Sequence, residues 1–333
     1  MPEAIPQLRE PPFLALIIPC YNEAETLPRT FQALSILLDD LKKRGLLHKD
    51  SFCCYVDDGS KDSTWLLLEG EHQRDPYCRA LKFAGNAGHQ NAVWAGMAKA
   101  REWNVDCVIS LDADLQDDIG VVEEMISNYM QGSDIVYGVR NNRKSDTTFK
   151  RQSAHLFYSL MRRLGISIIP DHADYRLVSR PVLQALKGFE EHNLFLRGLF
   201  PILGFKTSKV FYQRLPREQG ESKYPLKKML SFAWQGITSC SAAPLRIAGL
   251  MSLICMLIAL LICLVSVYKY AIGETIQGWT SLIIVTLFLG SVQLFCLSVM
   301  GEYIAKIFTE VRRRPRYIIE EVLENSKPVQ EKG

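Results

Sequence analysis

Two aspartates separated by one residue, Asp112 and Asp114, are the first candidates for chemistry in this sequence. They come at the end of a short apolar run, residues 107–111, which predicts a buried strand. Alternate residues of an extended chain point the same way, so both carboxylates can face one site. Carboxylate oxygens suit Mg²⁺ or Mn²⁺, and Mg²⁺ is typically held by one or two carboxylates plus substrate phosphates. The alternative is a pair of solvated loop acids.

A second acidic group, Asp57 and Asp58 with Gly59 and Ser60, follows another apolar run. Adjacent carboxylates can accept hydrogen bonds from a ribose or from a base N–H. Asp, Gly and Ser are also ordinary turn formers, and the spacing alone does not separate the two interpretations. His89 presents a similar choice, because it can cap a helix or contact a phosphate.

Basic side chains cluster in two places that could bind an anion. Arginine forks suit phosphate oxygens, although a solvated loop is the usual explanation of a basic run. The first cluster follows residues 135–139 and the second precedes a long apolar region, where an acidic lipid headgroup would need such a lining. The clusters contain Arg140, Arg143, Lys144, Lys150 and Arg151, and then Arg217, Lys223 and the intervening Ser222.

Strand and helix patterns alternate along residues 13–139 and position these polar groups. Short apolar runs predict strands, and apolar residues at helical spacing predict the helices between them. The predicted strands cover 13–19, 52–56, 80–83, 107–111 and 135–139, and the helices begin near 22, 64, 89 and 121. This alternation indicates an α/β fold with a mostly parallel sheet. Ligands bind beyond the carboxyl ends of such strands. Apart from the second basic cluster, the polar groups described above each follow a predicted strand, so they lie where a ligand would bind.

Two uncharged stretches, residues 247–268 and 275–301, predict two transmembrane helices joined by a tight loop. A bilayer core needs roughly 20 apolar residues per helix. Buried core helices are the alternative. Three basic residues precede the first stretch, five follow the second and one lies between them, so we expect both ends in the cytoplasm. Residues 225–246 mix Lys with large apolar residues and predict an interfacial helix, or else a buried amphipathic one.

The composition excludes several classes of protein. With 333 residues, 48% apolar and 23% charged, the chain is neither disordered nor a small disulfide scaffold. A net charge of +3 is too balanced to suggest nucleic-acid binding. Nine cysteines without CxxC spacing indicate reduced thiols. The N-terminal residues lack the pattern of a signal peptide, so we expect a cytoplasmic catalytic domain.

Five motifs in order resemble the GT-A fold, family 2 glycosyltransferases, and especially their polyisoprenyl-phosphate branch of bactoprenol glucosyltransferases and dolichol-phosphate mannose synthases. The similarity covers roughly residues 13–320. A Gln-x-x-Arg-Trp motif, which processive polysaccharide synthases of the family carry, is absent from the sequence, and this weakens a polymerising interpretation. The motifs are Pro19-Cys-Tyr-Asn-Glu23, Asp57-Asp-Gly-Ser60, Asn86-x-Gly88-His89, Asp112-x-Asp114-x-Gln116 and Arg217-x-x-Gly-x-Ser-Lys-Tyr224.

The resemblance implies a role for each site residue. The nucleotide sugar would be bound by Pro19, Tyr21, Glu23, Asp57, Asp58, His89 and Asp112. The metal that bridges the diphosphate would be held by Asp112, Asp114 and Gln116, with Asp114 also taking part in catalysis. The acceptor phosphate would be bound by Arg140, Arg151, Arg217, Ser222 and Lys223. Asp174 matches the position often proposed as the catalytic base, although we expect it to orient a neighbouring arginine.

The resemblance also implies the reaction. We expect an inverting enzyme that moves one sugar, glucose from UDP-glucose, to polyprenyl (undecaprenyl) phosphate at the cytoplasmic face of the cell membrane, with Mg²⁺ or Mn²⁺. We also expect a homo-oligomer. The alternatives are another sugar (GlcNAc or mannose), another lipid such as diacylglycerol, and a non-catalytic nucleotide-binding membrane subunit. The expected domains are 1–224 (catalytic), 225–246 (interfacial), 247–301 (membrane) and 302–333 (a cytoplasmic basic tail).

Overall fold

The computed structural model describes residues 9–141, 172–191, 195–213, 243–272 and 278–324. These residues belong to two compact units. The first contains the α/β region together with the residues that follow the second apolar helix. The second contains the two apolar helices themselves.

The described part of the first unit forms an eight-stranded mixed sheet in the order β7-β5-β6-β4-β1-β2-β3-β8. Four neighbouring pairs are parallel: β1 with β2, β1 with β4, β2 with β3, and β5 with β7. The predicted α/β fold is confirmed, with three strands that the sequence patterns did not predict. The strands are β1 Leu14–Cys20, β2 Phe52–Asp57, β3 Cys78–Phe83, β4 Cys107–Ser110, β5 Ile135–Arg140, β6 His172–Ser179, β7 Thr207–Tyr212 and β8 Ile319–Leu323.

Helices cover both faces of this sheet because their apolar residues recur at helical spacing. In α1, Leu27, Phe31, Leu34, Leu38 and Leu41 are buried against one face. Buried side chains of α3 pack with the other face. The helices are α1 Leu27–Lys43, α2 Thr64–Arg74, α3 His89–Glu102, α4 Val122–Met130, α5 Arg180–Leu186 and α6 Leu196–Ile202, and a short 3₁₀ helix, Ile119–Val121, precedes α4.

The first helix begins five residues later than the sequence predicts. Asn22 adopts a φ of +55°, which turns the chain after β1. Glu23 then accepts hydrogen bonds from Thr26 through both its carbonyl and its carboxylate, so this acid stabilises a turn before the helix. The turn presents the segment between Cys20 and Leu27 at the carboxyl end of β1.

β6 is the strand that makes the sheet mixed, because it runs antiparallel between β4 and β5. Its first residues therefore lie beside the carboxyl end of β4. Ser110 of β4 pairs with Arg176, and its hydroxyl donates to the carbonyl of Asp174 at 2.5 Å. This antiparallel insertion brings Asp174 to the same edge of the sheet as the loop containing Asp112.

β8 closes the sheet on the far side, next to β3, although it follows both apolar helices in sequence. The ring of Tyr317 stacks on Phe83 with centroids 4.9 Å apart, and the N–H of Ala84 donates to the carbonyl of Ile318 at 3.0 Å. Within the predicted basic tail, residues 302–311 continue the second apolar helix and residues 319–323 form this strand. No sequence pattern predicts a strand there.

The second unit consists, in its described part, of α7 Ala243–Ala271 and α8 Trp279–Val311. Both helices are long and apolar enough to cross a membrane by length and composition. The 33 residues of α8 span about 50 Å at 1.5 Å per residue, more than the roughly 30 Å of a bilayer core. The two helices meet where the Cys296 thiol lies 3.4 Å from the carbonyl of Ala248. Most of the predicted interfacial helix, residues 225–242, lies outside the described residues.

Candidate active site

The polar loops that follow β1 and β2 are joined by side-chain hydrogen bonds. The N–H of Asn22 donates to the Ser60 hydroxyl at 2.9 Å, and the N–H of Lys61 donates back to Asn22 Oδ1 at 2.9 Å. Ser60 also donates to Asp57 from both its N–H and its hydroxyl. Burial raises the pKa of Asp57, and these bonds from Ser60 oppose that shift. The two loops therefore form one connected surface at the carboxyl ends of their strands.

Asp58 joins this surface to the loop after β3. Its carboxylate accepts the N–H of Ala87 at 2.6 Å, the N–H of Gly88 at 2.9 Å and the amide of Asn86 at 3.1 Å. Burial raises its pKa, while the two backbone bonds lower it. Asp58 is only 3% exposed, and its carboxylate stabilises the turn that precedes α3. His89 is the first residue of that helix.

The remaining residues expected to bind the nucleotide lie around the same loops. Pro19 is buried within β1, where it is the register partner of Val56 in β2. Tyr21 is 44% exposed and is the aromatic ring that the first loop presents to solvent. Glu23 is partly buried, and its N–H donates to the Thr64 hydroxyl at 2.9 Å. Their contact with a nucleotide stays a prediction.

Gly59 allows the loops after β2 and β3 to approach each other, so Gly59→Ala should destabilise this surface. Its φ is +67°, and an added Cβ would lie 2.6 Å from the carbonyl carbon of Gly85. We expect a loss of about 1–3 kcal/mol of unfolding free energy, measured by thermal unfolding. We also expect a higher KM for the sugar donor. The matched control is Gly85→Ala, whose Cβ would meet nothing within 4 Å. Equal effects of the two substitutions would contradict this account.

The acidic loop after β4 concentrates carboxylates beside His89. The Nε2 atom of His89 lies 3.7 Å from Asp112 Oδ1 and 3.8 Å from Asp174 Oδ2. The N–H of Gln116 donates to Asp114 Oδ1 at 3.2 Å, which turns the loop back on itself. Burial raises the pKa of Asp112; His89 opposes this, while the neighbouring carboxylates of Asp117, Asp174 and Asp114 add to it.

This concentration of carboxylates fits a divalent cation. The described residues contain no group of three or more side chains arranged to hold a metal by themselves. Mg²⁺ commonly needs only one or two carboxylates when substrate phosphates complete its shell. Asp112 and Asp114 are the residues that would hold it, and a cation would relieve the repulsion among the acids. The buried side chain of Gln116 as a third ligand stays a prediction.

Asp174 is bound by two arginines. Arg176 Nη2 donates to its Oδ1 at 2.5 Å, and Arg197 donates to both oxygens at 3.2 and 3.1 Å. Burial disfavours its charge, yet the guanidinium groups of Arg176 and then Arg197 hold the pKa of Asp174 well below its usual range. Arg176 is itself only 1% exposed. The carboxylate is therefore ionised and fully engaged.

Arg140 lies at the end of β5, where it is held by two residues that the sequence analysis did not select. Its Nη2 donates to Asp117 at 3.3 Å and its Nε donates to the hydroxyl of Tyr212 at 3.2 Å. Arg197, from α6, was also missed. Each of these three lies far from its partners along the chain, and the sequence gives no signal for them. Arg151, Arg217, Ser222 and Lys223 lie outside the described residues.

This mixed α/β sheet has a GT-A-like fold. Its carboxyl ends, where ligands of such sheets bind, hold two linked polar loops, an acidic loop and an oriented arginine. The chain belongs to glycosyl transferase family 2, whose sequence profile matches residues 15–187. It is therefore a glycosyltransferase, as the five sequence motifs predict.

Similar proteins share nearly the whole length of the chain. The uncharacterized glycosyltransferase YkoT of Bacillus subtilis (strain 168) is 47% identical, covering 95% of this chain and 94% of YkoT. The SfII prophage-derived bactoprenol glucosyl transferase of Shigella flexneri is 34% identical, covering 92% of this chain and 97% of that protein. The prophage bactoprenol glucosyl transferase homolog of Escherichia coli (strain K12) is 33% identical, covering 93% and 99%.

Proposed function

We propose that this glycosyltransferase moves a single glucose from UDP-glucose to polyprenyl (undecaprenyl) phosphate at the cytoplasmic face of the cell membrane. The observation that carries the proposal is the position of Arg140, whose guanidinium group suits phosphate and is fixed beside the acidic loop. It would bring an anionic acceptor close to the donor diphosphate. The names of the bactoprenol relatives and the two apolar helices support a lipid acceptor.

The reaction is a single displacement. A phosphate oxygen of the acceptor attacks the anomeric carbon as its bond to the UDP oxygen breaks, so an α-linked donor gives a β-linked lipid product. The second pKa of a phosphate monoester is about 6, so near pH 7 the nucleophile is mostly a dianion and needs no base. Asp112 and Asp114 would hold a divalent cation, which would stabilise the charge that develops on the leaving UDP. Asp174 keeps Arg176 and Arg197 in place.

The decisive assay uses the purified full-length protein in vesicles, polyprenyl phosphate and radiolabelled UDP-glucose, UDP-GlcNAc and GDP-mannose. We expect a glucosylated lipid with UDP-glucose and polyprenyl phosphate. Transfer of another sugar would show that the proposed donor is wrong, and transfer to diacylglycerol would show that the proposed acceptor is wrong. Binding of nucleotide sugars without turnover would favour the non-catalytic alternative.

The second basic cluster, which contains Arg217 and Lys223, should bind the phosphate of the acceptor. Arg217→Ala or Lys223→Ala removes one charge-assisted hydrogen bond to phosphate, worth about 1.5–3 kcal/mol, or roughly 10- to 150-fold in apparent affinity. We expect the KM for polyprenyl phosphate to rise by that factor while the KM for the nucleotide sugar stays unchanged. Arg44→Ala, which loses only exposed pairs with Glu123 and Asp40, is the control. A rise in the nucleotide-sugar KM alone would place these residues in the donor site.

The connectivity of the sheet bears on membrane topology. The chain leaves the first unit before α7 and returns to it at β8, which supports a pair of crossings formed by the two apolar helices. On a cysteine-free background, a cysteine at Gly273 should react with an impermeant reagent outside the cell. Cysteines at Pro2 and Gly333 should react only after permeabilisation. Labelling of either terminus from outside would overturn the orientation.

We also infer a homo-oligomer, formed through the apolar helices. Many of their described side chains, Leu257, Leu261 and Leu294 among them, are more than half exposed within the single chain. Light scattering of the detergent-solubilised protein should give a mass above that of one chain. A monomer in a range of detergents would contradict this.

A further inference from the structure

We propose that Asp117 and Tyr212 are positioning residues that fix the guanidinium group of Arg140 for the acceptor phosphate. This inference rests on the proposed function, because it takes Arg140 to be an acceptor ligand. Neither Asp117 nor Tyr212 belongs to any of the five sequence motifs. Both act through Arg140, and neither is required to touch a substrate.

The three side chains form a closed triangle of hydrogen bonds. The hydroxyl of Tyr212 donates to Asp117 Oδ1 at 2.7 Å and accepts from Arg140 Nε at 3.2 Å. Arg140 Nη2 donates to the same Asp117 oxygen at 3.3 Å. Asp117 and Tyr212 are only 4% and 3% exposed, so water has little access to their side of the triangle. Burial and the Asp117 carboxylate raise the pKa of Tyr212, which keeps its proton in place.

The corners of this triangle come from three separate elements. Asp117 belongs to the loop after β4, and Arg140 and Tyr212 are directly paired at the ends of β5 and β7. The ring of Tyr212 packs edge-on against Tyr175 with centroids 5.4 Å apart. An added Cβ at Gly138 would lie 3.1 Å from the Tyr212 ring and 3.0 Å from the Tyr175 ring. Tyr175 and the backbone at Gly138 therefore restrict the position of the Tyr212 ring.

One edge of the Arg140 guanidinium is thus occupied by the protein. Its Nε and Nη2 atoms make the contacts to Tyr212 and Asp117, and none of the described residues partners Nη1. The side chain is 31% exposed. A guanidinium fixed along one edge loses little conformational entropy when the other edge binds an anion.

The triangle also connects the two substrate sites. Asp117 directly follows Gln116 and lies in the same loop as Asp112 and Asp114, which would face the donor diphosphate. Fixing Arg140 to this loop sets the distance between the acceptor phosphate and the anomeric carbon. Positioning of the acceptor phosphate can change the reaction rate by a large factor, because the reacting atoms must be held in line. Loss of the triangle should therefore affect both acceptor binding and turnover.

The test is Tyr212→Phe, which removes one hydroxyl and keeps the ring. We expect the acceptor KM to rise about 10-fold and kcat to fall, with the donor KM changed by less than about two-fold. Tyr129→Phe, which removes a tyrosine hydroxyl from a largely buried ring in α4, is the matched control and should leave the kinetics unchanged. Gly138→Ala, whose added Cβ would press on the Tyr212 and Tyr175 rings, should reproduce the Tyr212→Phe pattern.

A double-mutant cycle with Arg140→Ala separates positioning from general stability. If Tyr212 acts through Arg140, Tyr212→Phe has no further effect on acceptor KM in the Arg140→Ala background. Equal effects in both backgrounds, or a lower Tm with unchanged acceptor KM, would overturn the positioning role alone. An acceptor KM unaffected by Arg140→Ala would instead overturn the assignment of Arg140 in the proposed function, and the inference with it.

Discussion

Asp112→Asn and Asp114→Asn should each reduce turnover by about 10²–10³-fold or more, because they remove the carboxylates that would hold a divalent cation. The carboxylates of Asp117 and Asp174 add to the negative charge around Asp112, and a divalent cation would offset that charge. His89 reaches within 3.7 Å of Asp112. Charge on the departing diphosphate would therefore lack its main source of stabilisation in either variant.

Steady-state rates with and without EDTA are the measurement. Chelation should abolish the activity of the parent enzyme, and Mg²⁺ or Mn²⁺ should restore it. Titration calorimetry with UDP adds a reading that does not depend on turnover, since binding should weaken in EDTA. Asp118→Asn is the matched control, because the Asp118 carboxylate caps the short 3₁₀ helix through the N–H of Gly120. Undiminished rates after thorough chelation would exclude the metal assignment.

Asp174→Asn should slow the enzyme and destabilise it, yet leave the acidic limb of its pH–rate profile in place. A general base works best with a pKa near the working pH, whereas two arginines hold the pKa of Asp174 far below it. The acidic limb reflects ionisation of the acceptor phosphate, whose second pKa is about 6. If the limb disappears in Asp174→Asn while acceptor binding is unchanged, Asp174 is the base.

The same variant has a second expected result in unfolding experiments. Removing the charge leaves Arg176 buried without its anionic partner, a loss on the order of 3 kcal/mol. The pKa of Asp174 is lower in the folded than in the unfolded chain, so its pairs stabilise the fold above the unfolded carboxyl value of about 3.9. This contribution disappears as the pH falls below that value, so parent and variant should converge. Glu123→Gln, at an exposed pair with Arg44, should change stability by less than about 1 kcal/mol.

Much of the sheet could be predicted because its strands are continuous apolar runs. β1, β2 and β4 are buried along their whole length, so composition alone identifies them. β6 contains Asp174 and Arg176, and the pairing of Asp174 with Arg176 and Arg197 makes a charged strand compatible with burial. β8 is a largely exposed edge strand whose partner lies far back in the sequence. Neither strand is a continuous apolar run.

The location of the site was more predictable than its internal contacts. Parallel strands place their following loops together, which puts Asp58, His89 and Asp112 near one another before any coordinates are known. The sequence could not predict that Asp58 would bind backbone N–H groups, or that Arg197 would reach Asp174 from α6. Such pairings depend on contacts between loops that are far apart in the sequence, and those contacts cannot be inferred from a single sequence.

β8 also imposes an order on how this protein can be made. The ribosome synthesises β3 early, but the strand that pairs with its outer edge emerges only after α7 and α8. Until then the nascent sheet has an unpaired edge at Cys78–Phe83, the kind of edge that invites pairing with other chains. A chain halted after α8 would hold seven of these strands and both apolar helices. Completion of the catalytic unit therefore waits until both apolar helices have been synthesised.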